Sequence, residues 1–310
     1  MSKNTRLFLT VFILFFLFGW GVNVFEKNIK NFFFWREIAK NPQWLTAEVG
    51  QLDPVRKKTI SDFTSDAASV ISVFINNQGK EITLFEKDSL RPLPIGSLTK
   101  LLTAKIILEN YNPNQIVQIS QKSASFPGNG ANKLKVGEIF RVVDLLYPVL
   151  MESNNTATYA LAELMGQEKF VQRMNLEAKN AGMENTQFLN PTGLDENGQY
   201  STAFDLAKLT ENLVTRDPFI WNILSLREID LYSAQGKFVY TVTTTNELLG
   251  EIPSLIGGKT GETPKAGGCL LLVTEAPKGR GYLINVILGS ENRFEEMREL
   301  LEWVSKAFQW

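Results

Sequence analysis

Two lysines and two serines hold most of the chemistry available to this chain. Ser97-Leu98-Thr99-Lys100 sets a hydroxyl and an amine three residues apart at what reads as the start of a helix. Positions i and i+3 share a helix face, so the Lys100 amine is expected one turn above the Ser97 hydroxyl, within reach of its proton. A serine becomes a nucleophile only beside a base. The chain has no histidine, so a Ser-His-Asp arrangement is unavailable and the lysine is the remaining candidate. Ser-x-x-Lys occurs once in the chain. Taken alone it is more simply a helix cap with a lysine nearby.

Metal chemistry has little to work with. With no histidine and Cys269 as the single cysteine, neither the usual zinc sites nor an internal disulfide can be built. Cys269 opens the apolar run Cys269-Leu270-Leu271-Leu272-Val273 and reads as a small buried strand residue. No clustered carboxylate loop suggests a hard cation, so no metal and no cofactor is expected.

The elements that must position Ser97 and Lys100 follow from the pattern around them. Pro92 and Pro94 stiffen the approach, Gly96 permits a tight turn, and Ser97 is placed to cap. Apolar periodicity then runs through Leu101, Leu102, Ala104, Ile106, Ile107 and Leu108. Upstream, Ala67 to Ile75 and Glu81 to Phe85 read as a hairpin around Asn76-Asn77-Gln78-Gly79. Helices are expected over Val142 to Met151, from Asn155 or Thr156 as cap through Leu164, over Glu168 to Asn180 and over Ser201 to Thr215. The last third returns to strands: Arg227 to Tyr232 with Lys237 to Thr244, then Ile256 to Thr260, Gly268 to Thr274 and Tyr282 to Leu288. Phe294 to Phe308 closes as an amphipathic helix. Strands, a helical middle, strands and a final helix imply an α+β fold, an antiparallel sheet flanked by helices plus an all-helical lobe.

The 310 residues are 44% hydrophobic and 21% charged, enough for a sizeable core, and the net charge of −1 with no basic run gives no support to a nucleic-acid partner. Lys3 and Arg6 precede Leu7 to Phe25, 19 residues without a charge, which span roughly 28 Å as a helix. Gly19-Trp20-Gly21-Val22-Asn23 is a poor cleavage site, so 7–25 is expected to be an uncleaved anchor with 1–6 cytoplasmic. Residues 26–64 form the juxtamembrane stretch, where Phe32, Phe33, Phe34, Trp35 and Trp44 mix with charges. That stretch lies either at the membrane surface or against the globular domain. Residues 65–310 are the expected catalytic domain, exported whether 7–25 stays as an anchor or is removed as a signal peptide.

Three polar motifs stand against apolar flanks: Ser97-Leu98-Thr99-Lys100 opening a helix, Ser153-Asn154-Asn155 between helices and Lys259-Thr260-Gly261 ending a strand. Together they resemble the serine penicillin-recognising enzymes, whose Ser-x-x-Lys, Ser-x-Asn and Lys-Thr-Gly elements line one cleft. Glu152-Ser-Asn-Asn-Thr-Ala, Phe188-Leu-Asn-Pro-Thr-Gly-Leu-Asp, Tyr200-Ser-Thr-Ala-Phe-Asp-Leu-Ala and Gly258-Lys-Thr-Gly-Glu-Thr-Pro-Lys-Ala-Gly look like segments of D-alanyl-D-alanine carboxypeptidases of the low-molecular-weight penicillin-binding type. The resemblance covers about residues 65 to 308.

That resemblance implies a β-lactamase/transpeptidase-like fold and a role for each motif residue. Ser97 would attack the carbonyl between two D-alanines, Lys100 would take its proton, and Ser153 would relay a proton to the leaving amine. Asn155 would hold the peptide carbonyl and Lys100. Lys259, Thr260 and Gly261 would bind the terminal carboxylate side, and backbone N–H groups of Ser97 and Glu262 would form the oxyanion hole. The implied partners are peptidoglycan stem peptides ending in D-Ala-D-Ala, and β-lactams as covalent inhibitors, at the extracytoplasmic face of a bacterial membrane. Glu262 departs from relatives that carry an aromatic residue or histidine after Lys-Thr-Gly. The family's common C-terminal β-domain and membrane helix are not expected in this chain, and the N-terminal segment would replace that anchor. A class A β-lactamase would need Glu-x-x-Leu-Asn, which this chain lacks. A DD-endopeptidase, cutting cross-links instead of the terminal alanine, would carry the same motifs, and so would an inactive wall-binding module that kept the fold.

Overall fold

The computed structural model describes residues 53–128 and 130–310. The expected anchor at 7–25, and the juxtamembrane stretch up to residue 52, lie outside the described residues. Among the described residues no helix is long and apolar enough to cross a membrane.

Five strands form the central antiparallel sheet. In chain order the elements are β1 (Val55–Arg56), β2 (Ser69–Asn76), β3 (Glu81–Lys87), a 3₁₀ turn (Gly96–Thr99) leading into α1 (Lys100–Asn110), β4 (Ile116–Gln118), α2 (Gln121–Ala124), β5 (Ile139–Arg141), α3 (Val142–Met151), α4 (Asn155–Glu163), α5 (Gln167–Asn180), α6 (Ala203–Arg216), α7 (Pro218–Leu224), β6 (Glu228–Tyr232), β7 (Phe238–Thr243), β8 (Leu255–Thr263), β9 (Gly267–Glu275), β10 (Gly281–Ser290), α8 (Arg293–Ala307) and β11 (Phe308–Gln309). The sheet order is β3-β2-β10-β9-β8, every neighbour antiparallel, which leaves β8 at one edge.

The sheet is covered on both faces, and its three central strands are accordingly buried at nearly every position, whereas edge strand β3 alternates. Side chains still sort by parity. Val70 and Phe74 of β2, Leu270 and Leu272 of β9, and Leu283 and Ile287 of β10 face α8, where Met297, Leu300 and Val304 meet them. Ile71, Val73 and Ile75, Leu271 and Val273, and Ile284 and Val286 face the helical lobe, against Leu101, Leu146, Leu206 and Leu209. Burying each such side chain stabilises the fold by about 1.5–3 kcal/mol.

Several local expectations are corrected. Ser97 does not cap α1: it lies inside the 3₁₀ turn, and no side chain caps either that turn or the helix. The cap of α4 is Asn154, whose side chain accepts from Ala157 N, rather than Asn155 or Thr156. Strand β8 continues through Lys259-Thr260-Gly261 to Thr263 instead of ending there. The sequence reading also missed the short pairs β4–β5 and β1–β11. In the second of these, Arg56 lies over the rings of Trp303 and Phe308 and so holds the start of the described chain against α8.

Candidate active site

The floor of the site is built from glycines that let backbones touch. Gly96 turns the chain at φ +53, a conformation an L side chain rarely adopts. A Cβ there would stand 2.9 Å from Glu262 N, and one on Gly261 would stand 3.1 Å from Ser97 N. The entry to α1 therefore lies directly on edge strand β8, with the amides of Ser97 and Glu262 side by side. Two adjacent N–H groups are the arrangement an oxyanion requires.

Lys100 is fully buried while Ser97 remains partly exposed. Lys100 Nζ lies 2.8 Å from Ser97 Oγ, 2.8 Å from Asn155 Oδ1 and 2.6 Å from Thr192 O. Burial first, and the charge of Lys259 second, hold its amine well below the usual lysine range. A neutral amine has two N–H bonds and one lone pair. Asn155 presents its oxygen, because its Nδ2 is engaged by Pro127 O at 2.8 Å, and Thr192 offers a carbonyl. Both can only accept. In the neutral form these two acceptors would take both N–H bonds and leave the lone pair for the Ser97 hydroxyl, the arrangement a general base requires.

Across from this pair, Lys259 donates to the Ser153 hydroxyl and, at 3.0 Å, to Thr260 O. Ser153 sits in the turn between α3 and α4 at φ +59, and that strained conformation swings its hydroxyl toward β8. Asn154 N closes the turn onto Pro148 O at 2.9 Å. The Lys259 amine is pushed down to about 7, mainly by burial and then by Arg293. Thr260 Oγ1 meets Thr245 Oγ1 at 2.5 Å. A surface groove of about 1070 Å³ opens beside Glu262 and runs along Thr263, Gly268, Ser290 and Arg293.

The structure thus brings Ser97, Lys100, Ser153, Asn155, Lys259, Thr260, Gly261 and Glu262 into one place. It also supplies three members the sequence reading missed as site residues: the Thr192 carbonyl, Thr245 and Arg293. The first was within reach. Asn190-Pro-Thr-Gly stands out in the sequence only as a family-like segment, yet its Asn190 Oδ1 accepts from Thr192 N and Gly193 N and folds the loop against Lys100. Nothing in the sequence marked Thr245 or Arg293. Among the described residues no carboxylate hydrogen-bonds Ser97 or Lys100.

The family model for D-alanyl-D-alanine carboxypeptidases matches residues 56–292. The D-alanyl-D-alanine carboxypeptidase DacF of Bacillus subtilis is 32% identical over 258 residues, 81% of this chain and 64% of that protein, so the chain spans just under two thirds of that relative. The Streptomyces K15 DD-transpeptidase superposes with a TM-score of 0.71 at 26% identity, over 80% of this chain and 100% of the other. Penicillin-binding protein D2 of Listeria monocytogenes, solved with cefotaxime bound, gives a TM-score of 0.68 at 27% identity, over 79% and 99%.

Proposed function

The chain belongs to the D-alanyl-D-alanine carboxypeptidase family, and on that premise we propose that it removes the terminal D-alanine from peptidoglycan stem peptides through an acyl-enzyme on Ser97. The carrying observation is the Lys100 amine, enclosed by two carbonyl acceptors and directed at Ser97 Oγ.

Ser97 Oγ bonds to the carbonyl carbon of the penultimate D-alanine and its proton passes to Lys100 Nζ. The oxyanion is received by the N–H groups of Ser97 and Glu262, each such donor being worth about 3 kcal/mol. The tetrahedral species expels the last D-alanine, whose nitrogen takes a proton through the Ser153 hydroxyl. Lys259, Thr260 and the Gly261 backbone hold the terminal carboxylate side, where the Lys259 ammonium makes a charge-assisted hydrogen bond. Asn155 orients the peptide carbonyl. Water then hydrolyses the Ser97 ester and restores the hydroxyl. β-Lactams enter the same path and stop at the ester.

The enzyme works at the extracytoplasmic face of the cell envelope, with 1–6 cytoplasmic, 7–25 as anchor, 26–64 juxtamembrane and 65–310 catalytic. The charge-free run Leu7 to Phe25 supports the anchor, and membrane fractionation with N-terminal sequencing tests it. Fluorescent penicillin is expected to label the wild type and not Ser97→Ala. Purified muropeptides are expected to release free D-alanine. Loss of cross-linked dimers without D-alanine would assign an endopeptidase instead, and an unlabelled wild type would end the catalytic reading.

A further inference from the structure

Arg293, the first residue of α8, reaches under the sheet edge to a peptide unit the proposed mechanism depends on. Its Nη1 lies 3.2 Å from Gly261 O and 2.7 Å from the Glu262 carboxylate. Gly261 C=O and Glu262 N–H belong to the same peptide group. The guanidinium therefore grips the oxygen of the amide whose N–H faces the expected oxyanion position. The path to it is kept open by Gly268 on β9, where a Cβ would come within 3.4 Å of Nη1 and 3.3 Å of Arg293 Cδ. The side chain is largely enclosed, at 18% exposed, and stacks over Phe294. Glu262, 69% exposed, folds back onto the same nitrogen and holds it in place.

We propose that Arg293 is a positioning residue for the oxyanion hole, acting through the Gly261–Glu262 peptide. Hydrogen-bonded amides polarise one another: a cation on the carbonyl oxygen makes the N–H of the same peptide a stronger donor, and the grip fixes the peptide plane. Glu262 takes part as the latch on Arg293. The residue that departs from the resembled family after Lys-Thr-Gly thereby has a use. This inference rests on the Ser97 acyl-enzyme reading.

The test compares wild type, Arg293→Gln, Arg293→Lys and Glu262→Gln with two acyl donors: a D-Ala-D-Ala peptide, and an acyl-D-alanine thioester whose leaving group carries no carboxylate. Arg293→Gln should lower kcat about tenfold for both, with KM little changed, because each oxyanion-hole donor governs 10²–10³-fold and here one is weakened rather than removed. Arg293→Lys should recover part of the rate, and Glu262→Gln should lose less than Arg293→Gln. In penicilloyl-enzymes made with carbonyl-labelled penicillin, the infrared ester band should move to higher frequency in Arg293→Gln. A loss confined to the carboxylate-bearing donor and expressed in KM would make Arg293 a ligand of the substrate's terminus and overturn the proposal, as would an unmoved ester band in a variant that melts like wild type. Failure of the wild type itself to acylate on Ser97 would instead remove the underlying reading.

Discussion

A Cβ placed on Gly193 would stand 1.9 Å from the carbonyl oxygen of Gly96. The two glycines belong to segments about a hundred residues apart, and their contact presses the Thr192 carbonyl onto Lys100 and the turn at Gly96 onto β8. Backbone-to-backbone packing of this closeness is what fixes Lys100 beside Ser97.

Gly193→Ala is therefore expected to destabilise the domain by ~3 kcal/mol or more, since it adds a collision to an unfavourable φ of +82. Gly236→Ala is the control. It has the same left-handed backbone, φ +79, in a hairpin turn with nothing within 4 Å of the added carbon, and should cost about 1 kcal/mol. Thermal unfolding of both variants reads the difference, and equal losses would deny the contact its importance.

Replacing Lys100 should remove acylation without removing the fold. Lys100→Met deletes the proposed base, and fluorescent penicillin should react with Ser97 about 10²–10⁴-fold more slowly. Lys100→Arg should be no better, because a guanidinium stays protonated. If the arginine variant labels at a wild-type rate, deprotonation of residue 100 is not part of the reaction.

Acylation and substrate affinity should respond to pH in opposite directions. On the proposed mechanism the acylation rate follows the neutral fraction of Lys100. Its pKa is held well below 10.5 by burial and by Lys259, so the rate rises with pH and levels off below the usual lysine range. Lys259 must be charged to hold a carboxylate, and its pKa is about 7. KM for a D-Ala-D-Ala peptide is thus expected to climb as pH rises through about 7, while a donor without the carboxylate shows no such climb. Stopped-flow labelling and steady-state kinetics across pH 5–10 separate the two limbs.

Glu152 holds the turn that presents Ser153. Its carboxylate is 6% exposed and accepts from Lys133 Nζ at 2.6 Å, Tyr240 Oη at 2.5 Å and Asn154 Nδ2 at 2.8 Å. Glu152→Ala strands two buried donors and should cost about 2–3 kcal/mol together with part of the acylation rate. Lys133→Ala removes only a half-exposed partner, at 47% exposure, and should cost under about 1 kcal/mol. Denaturant titration of the two variants should show that asymmetry.

The strands and the long helices were legible because burial writes itself into periodicity. The runs Ser69–Asn76, Gly267–Glu275 and Gly281–Ser290 are largely apolar and buried through their middles since both sheet faces are covered, and α8 carries one apolar stripe since only one of its faces is. Caps and ends were less legible. Asn154, Asn155 and Thr156 are all capable caps, and the choice fell to Asn154 because the oxygen of Asn155 is held by Lys100. The edge strand runs past Lys-Thr-Gly because its partner β9 continues beside it, which no local residue announces.

By itself, then, the sequence determined which groups are available to react and that a serine and a lysine share one helical turn, since spacing along a helix is a local property. Tertiary structure decided the surroundings and direction of that lysine, through the burial that lowers its pKa and the carbonyls of residues 155 and 192 that accept its hydrogen bonds. It also decided that Arg293, on the last helix, would grip the peptide behind Glu262. Such facts depend on approaches of a few ångströms between segments distant in the chain, and these exist only once the core has closed.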